Sequence, residues 1–302
     1  MSTNRTDEGA GVPPGKGWRG SLHWLWLVRL LAFFVVLLAG DVVAQQSAMR
    51  AARHAPAGGA EWVLIGAALM LAAALVGLYV LIVRWTEHRP ARELAPGVGY
   101  LLIGIAVGLA LFSTVFGLLY LIGTARWLGV SPRFDVSPVL AFSILAAVGE
   151  ELVFRGALFR LVAERFGTAA ALVVSAAVFG LLHGLNPGAT IVSTAAIAIE
   201  AGLLLGAAYA LTRNLWFPIG LHLGWNFTEG GIFGTAVSGG SAGSGIFSVS
   251  LDGPRLLTGG AFGPEASLIA IAAGLTAAIV LVVLAVRAGR WIPLRSARTP
   301  AP

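Results

Sequence analysis

The run ASLIAIAAGLTAAIVLVVLAV, residues 266–286, is 21 residues long and carries no charge. A hydrocarbon layer about 30 Å thick takes about 20 helical residues to cross at 1.5 Å each. Inside lipid the backbone has no water to bond to, so a run like this can only be helical. Seven further apolar runs accompany it. Membrane segments are predicted at about 22–42, 62–83, 99–123, 138–159, 169–184, 191–211, 215–229 and 266–287. The expected fold class is therefore all-α: a polytopic membrane helical bundle of about eight transmembrane helices. Only 11% of the residues are charged, against about 25% in ordinary globular proteins, which is too little polar surface to coat a soluble core of this size.

The remaining organisation follows from composition along the chain. Residues 1–21 read as a cytosolic flexible tail, and 22–290 as the bundle. Residues 230–265, rich in Gly and Ser, read as a long flexible loop within it. With no cysteine, the chain has no disulfide, thiolate metal site or cysteine nucleophile. Nineteen of the twenty basic residues are arginine, and most lie in short segments between apolar runs. This is the pattern of topology signals, so no nucleic acid is expected as a partner. With the N-terminus inside, thirteen basic residues fall on inner segments and five on outer ones. Both termini are then cytoplasmic. The Arg/Ala/Gly-rich makeup reads as bacterial, which puts the chain in the inner (plasma) membrane. Val42-Val43-Ala44 could pass for a signal-peptidase site, but the apolar run before it is long and holds two tryptophans, so a retained helix is expected.

Ionisable groups at membrane depth are costly and mark function by default. They are Arg29, Glu150, Glu151, Arg155, His183, Glu200 and His222, with Asn226 as an uncharged companion. Arg29 is near a helix end and can extend its guanidinium to the interface. Glu151 and Arg155 are four apart and lie about 40° from each other around a helix, whereas Glu150 points about 140° away from Arg155. Glu151 can thus pair with Arg155. Glu150 lacks that partner, which suits a general base. Phe179 and His183 share a face, as do His222 and Asn226. The last pair can serve as donors, or as a ligand with its orienting neighbour. Counting from the basic end of each helix places Glu150 roughly 15 Å, His222 roughly 10 Å and His183 roughly 20 Å deep. A cavity reached from the cytoplasm is expected. Glu200, followed by Gly202 and Gly206 on a close-packing face, either bonds a neighbouring helix or lines that cavity.

The ordered set Glu150-Glu151-x-x-x-Arg155, Phe179-x-x-x-His183 and His222-x-x-x-Asn226, each on its own helix, resembles the CPBP family of intramembrane proteases. This is the CAAX prenyl endopeptidase and bacteriocin-processing family, also called Abi. The resemblance covers about residues 138–229, taken as the protease core. It implies an endopeptidase, metalloprotease-like and glutamate-dependent, acting on a membrane-embedded or membrane-anchored peptide or protein. By motif position, Glu150 would activate water with help from His183. Glu151 and Arg155 would organise the site, and His222 and Asn226 would stabilise the oxyanion. His183, His222 and Glu150 could alternatively hold zinc with one position open for water. A metal-free site fits the residues equally well.

Other intramembrane proteases fit less well. No His-Glu pair begins a His-Glu-x-x-His zinc motif, and the four aspartates, Asp7, Asp41, Asp135 and Asp252, are placed in the tail, at a helix end or in loops. The Gly-Ser-Gly of a rhomboid-like nucleophile falls in the flexible segment. Two other classes stay open: a proton-coupled transporter, which would also use buried Glu, Arg and His, and a non-catalytic membrane scaffold or immunity protein on the same fold.

Overall fold

The computed structural model describes residues 17–53, 60–241, 243 and 245–294. Most of the expected tail lies outside these residues. Ten α-helices are found among them: α1 (Gly17–Arg53), α2 (Ala60–Glu87), α3 (Val98–Leu121), α4 (Ser137–Glu151), α5 (Arg160–His183), α6 (Ile191–Ile197), α7 (Leu204–Thr212), α8 (Trp216–Asn226), α9 (Arg255–Thr258) and α10 (Leu268–Arg287). Three of them run on into wider π-helical turns. Leu152–Phe159 continues α4, Ala198–Leu203 joins α6 to α7, and Phe227–Ile232 extends α8.

Among the described residues, six helical stretches are long and apolar enough to cross a membrane, so the chain is a multi-pass helical membrane protein. The longest, 137–183, is two helical arms that meet at a break at Gly167, whose φ of 84° is the left-handed region open to glycine. Phe154 on one arm meets Phe179 on the other at 4.8 Å. The two arms are the separate segments predicted at 138–159 and 169–184. The seventh predicted segment, 215–229, is α8 with its extension, shorter than most of the others. Its backbone lies directly on α3. A β-carbon on Gly220 would fall 2.2 Å from the Leu101 carbonyl, and one on Gly108 would fall 2.2 Å from the Leu221 carbonyl. Small residues on both faces thus let two helices meet with no side chain between them. This seats His222 rigidly.

The loops gather at two ends. At the basic end, Arg160 pairs with Glu87 at 2.6 Å and Arg89 with Glu93 at 2.9 Å. Leu215 N–H donates to Glu93 O, and Thr168 N–H to Ile292 O. At the opposite end, β1 (Ala125–Val130) and β2 (Phe247–Leu251) form an antiparallel pair with Ala125 opposite Leu251 and a bulge between Trp127 and Gly129. Residues 230–265 are therefore not a free flexible loop. They carry β2 and α9 and bury Val237, Thr258 and Phe262. Their glycines permit tight turns rather than disorder.

Candidate active site

The site begins where α4 widens. Glu150 and Glu151 end the α-helical part, and the π-helical turns start at Leu152, an irregularity frequent at functional sites. The expected pairing on one helix face is present: Arg155 Nη1 donates to Glu151 Oε1 at 2.7 Å, with both side chains fully buried. Two buried charges need more than each other to be tolerated. Arg155 Nη2 also donates to the carbonyls of Ala201 and Gly202, at 3.3 and 3.2 Å, and its guanidinium lies 4.8 Å above the Phe179 ring. One side chain thus ties α4, α5 and the α6–α7 helix together.

Glu151 has a second partner. His222 Nδ1 lies 3.2 Å from Glu151 Oε1. A carboxylate accepting from one ring nitrogen sets the ring's orientation and leaves the other nitrogen for work. Asn226 sits one turn further along α8, and both residues line the cavity described below.

Glu150 faces away from this pair. Its Oε2 has no hydrogen-bond partner and stands 3.9 Å from His183 Nε2. That is too long for a direct hydrogen bond and suits a bridging water. His183 Nδ1 is 2.9 Å from the Phe179 carbonyl. A carbonyl can only accept, so Nδ1 carries the hydrogen and Nε2 presents a lone pair toward Glu150.

A cavity of about 370 Å³ joins these groups, with Asp41, Glu150, His183, His222, Asn226 and Ser238 in its wall. Val42, Phe142 and Leu185 stand exposed at its mouth, on the side away from the basic loops. The expected opening toward the basic loops is not what these lining residues give. His183 ends α5, which rises from Gly167 at the basic end, and the chain beyond it borders the far side.

Other residues depart from the sequence reading. The sequence places Asp41 at a helix end. It is instead mid-helix, because α1 runs on to Arg53, and it is 3% exposed. The signal was available in Asp41-x-x-x-Gln45, a polar pair on one face of an apolar helix, and Gln45 Nε2 donates to Asp41 Oδ2 at 3.0 Å. Glu229 and Glu265 are also buried. Ser238 N–H donates to Glu265 Oε1 at 2.6 Å, which draws the Gly/Ser-rich segment onto the cavity wall. Glu200 is 1% exposed, and neither carboxylate oxygen has a partner. It borders a small void of about 20 Å³ behind His222 and Asn226 rather than the main cavity.

The three groups named for zinc do not form a ligand set as placed. His222 is turned toward Glu151, and His183 Nε2 stands 3.9 Å from Glu150. Among the described residues no three His, Asp or Glu side chains are grouped for a metal ion.

A family model described as Type II CAAX prenyl endopeptidase Rce1-like matches residues 132–228. The matched span begins just before α4, ends in the extension of α8, and contains Glu150, Glu151, Arg155, His183, His222 and Asn226. No curated protein and no solved structure matches the chain.

Proposed function

We propose that this chain hydrolyses a peptide bond of a membrane-associated peptide with water activated by Glu150, a reading supported by the match of residues 132–228 to the Rce1-like type II CAAX prenyl endopeptidase model. The observation that carries this reading is the 3.9 Å gap between Glu150 Oε2 and His183 Nε2. A water held there has two acceptors beside it. Glu150 takes its proton as the oxygen attacks the scissile carbonyl carbon. His183, fixed by its own helix carbonyl, holds the water in line. His222, protonated on both ring nitrogens so that Nδ1–H serves Glu151 and Nε2–H is free to donate, and the Asn226 amide donate to the carbonyl oxygen as it becomes an oxyanion. Glu151 orients His222, and Arg155 balances the Glu151 charge. The apolar mouth at Val42, Phe142 and Leu185 favours a substrate that arrives from the bilayer.

The test is hydrolysis by the purified, membrane-reconstituted protein, wild type beside Glu150→Gln. The substrates are a farnesylated peptide ending in Cys-aliphatic-aliphatic-Met and a mixed library of membrane peptides, with products read by mass spectrometry. Products that vanish in the variant support the reading. Products that persist unchanged remove Glu150 from it.

The buried glutamates Glu200, Glu229 and Glu265 favour a second reading, a proton-coupled transporter. Proteoliposomes carrying a pH-sensitive dye distinguish it, since proton flux abolished by Glu229→Gln belongs to a transporter and not to a hydrolase.

A further inference from the structure

Asp41 is the one acidic residue of α1, and the mechanism above leaves it unused. It is 3% exposed and shares the cavity wall with Glu150, His183, His222 and Asn226. Its two oxygens differ. Oδ2 accepts the Gln45 amide at 3.0 Å, while Oδ1 has no partner. Oδ1 lies against Gly149, where a β-carbon would fall 1.9 Å from it. Only glycine at 149 leaves room for this carboxyl, and the next residue in the chain is Glu150. Two carboxyl groups from different helices thus meet in one cavity, one oxygen of each unengaged.

The Gln45 N–H marks Oδ2 as the accepting oxygen, so a proton on this carboxyl belongs on Oδ1. A neutral carboxyl also avoids the cost of an unpaired charge away from water. We propose that Asp41 is the general acid of the hydrolysis, delivering a proton from Oδ1 to the nitrogen of the scissile bond. The inference rests on the protease reading above. In balance, Glu150 takes one proton from water while the water oxygen bonds to the carbonyl carbon. The tetrahedral species then collapses, the C–N bond breaks, and the Asp41 proton goes to nitrogen. The products are a carboxylic acid and an amine. The proton held by Glu150 then passes to Asp41, which restores a Glu150 carboxylate and a neutral Asp41. The roles follow from chemistry: an amine cannot leave as an anion, whereas an alkoxide leaving group needs far less help.

That difference supplies the test. The farnesylated peptide is compared with its depsipeptide, in which the scissile amide is an ester. Asp41→Asn keeps shape and the Gln45 contact but has no acid to give. Its amide hydrolysis should fall by about 10²- to 10⁴-fold in kcat, and its ester hydrolysis by less than about tenfold. Gly149→Ala, which puts a methyl where Oδ1 lies, should reproduce that preference and guards against a folding defect peculiar to position 41. Glu150→Gln should lose both substrates. Equal losses on amide and ester in Asp41→Asn, or full retention of amide hydrolysis, overturn the acid role alone. Both activities surviving in Glu150→Gln overturn the protease reading and the acid role with it.

Discussion

His222 Nδ1 stands 3.2 Å from Oε1 of Glu151, the same oxygen that accepts Arg155 Nη1 at 2.7 Å. One buried oxygen therefore serves both a structural cation and the ring assigned to the oxyanion. Glu151→Gln should leave Arg155 charged without a counter-ion and destabilise the protein by about 3–5 kcal/mol. Glu151→Gln with Arg155→Met should recover much of that stability but no activity, because His222 stays unoriented. Thermal unfolding and hydrolysis, measured on both single variants and the double variant, separate the two roles.

Glu150 and His183 present the opposite case. They hold little of the fold together, since Glu150 Oε2 has no partner. Glu150→Gln and His183→Asn should each cost about 10²- to 10⁴-fold in kcat, with melting temperatures close to wild type. A drop in melting temperature as large as that of Glu151→Gln would place them in the architecture instead.

Asn226→Ala should lower kcat by about 10²- to 10³-fold while KM changes little, the signature of a donor used only in the transition state. A rise in KM at unchanged kcat would make Asn226 a substrate-binding residue.

Packing of α3 on α8 should be as sensitive as the site itself. Gly220→Ala puts a β-carbon 2.2 Å from the Leu101 carbonyl. Backbone cannot yield as a side-chain tip can, so a cost of about 1–3 kcal/mol is expected, together with lost activity as His222 shifts. Gly66→Ala meets nothing within 4 Å and should be silent in both assays.

The basic end carries a pH dependence of its own. Burial pushes Glu93 upward, but hydrogen bonds from Arg89 and Tyr79 outweigh it and hold the carboxyl below its ordinary value. A lowered folded value means that the stabilisation is complete above the unfolded carboxylate's titration. It is lost as pH falls through the folded value. Glu93→Gln should therefore cost about 1.5–3 kcal/mol at pH 7, and the gap from wild type should close in acid. Melting curves at both pH values decide it. A gap that widens in acid contradicts the assignment.

Much of the site was legible because its signals are local. The four-residue spacing of Glu151 and Arg155 put them on one face, and the ion pair is there. The same spacing put His222 and Asn226 on one helix, and both reach one cavity. Asp41 was misplaced because hydropathy falls off at Gln45 and Gln46, which reads as a helix end, whereas the backbone stays helical to Arg53. The Gly/Ser-rich composition of 230–265 reads as slack chain. Its burial of Glu265 and the hydrogen bond from Ser238 depend on surfaces supplied by other parts of the chain.

By itself the sequence determined that this protein is a bundle of membrane helices and singled out Glu150, Glu151, Arg155, His183 and His222 within its apolar segments, but not Asp41. Length, apolarity and the 3.6-residue repeat act within a single segment, so they can be read along the chain. Only the tertiary structure decided that Glu151 serves His222 as well as Arg155, that Asp41 joins Glu150, and that the cavity opens away from the basic loops. These relations are set by which helix faces meet, and the faces meet where glycines such as Gly108, Gly149 and Gly220 let backbone or carboxylate approach. No local pattern records which residue on another helix fills the space that a missing side chain leaves.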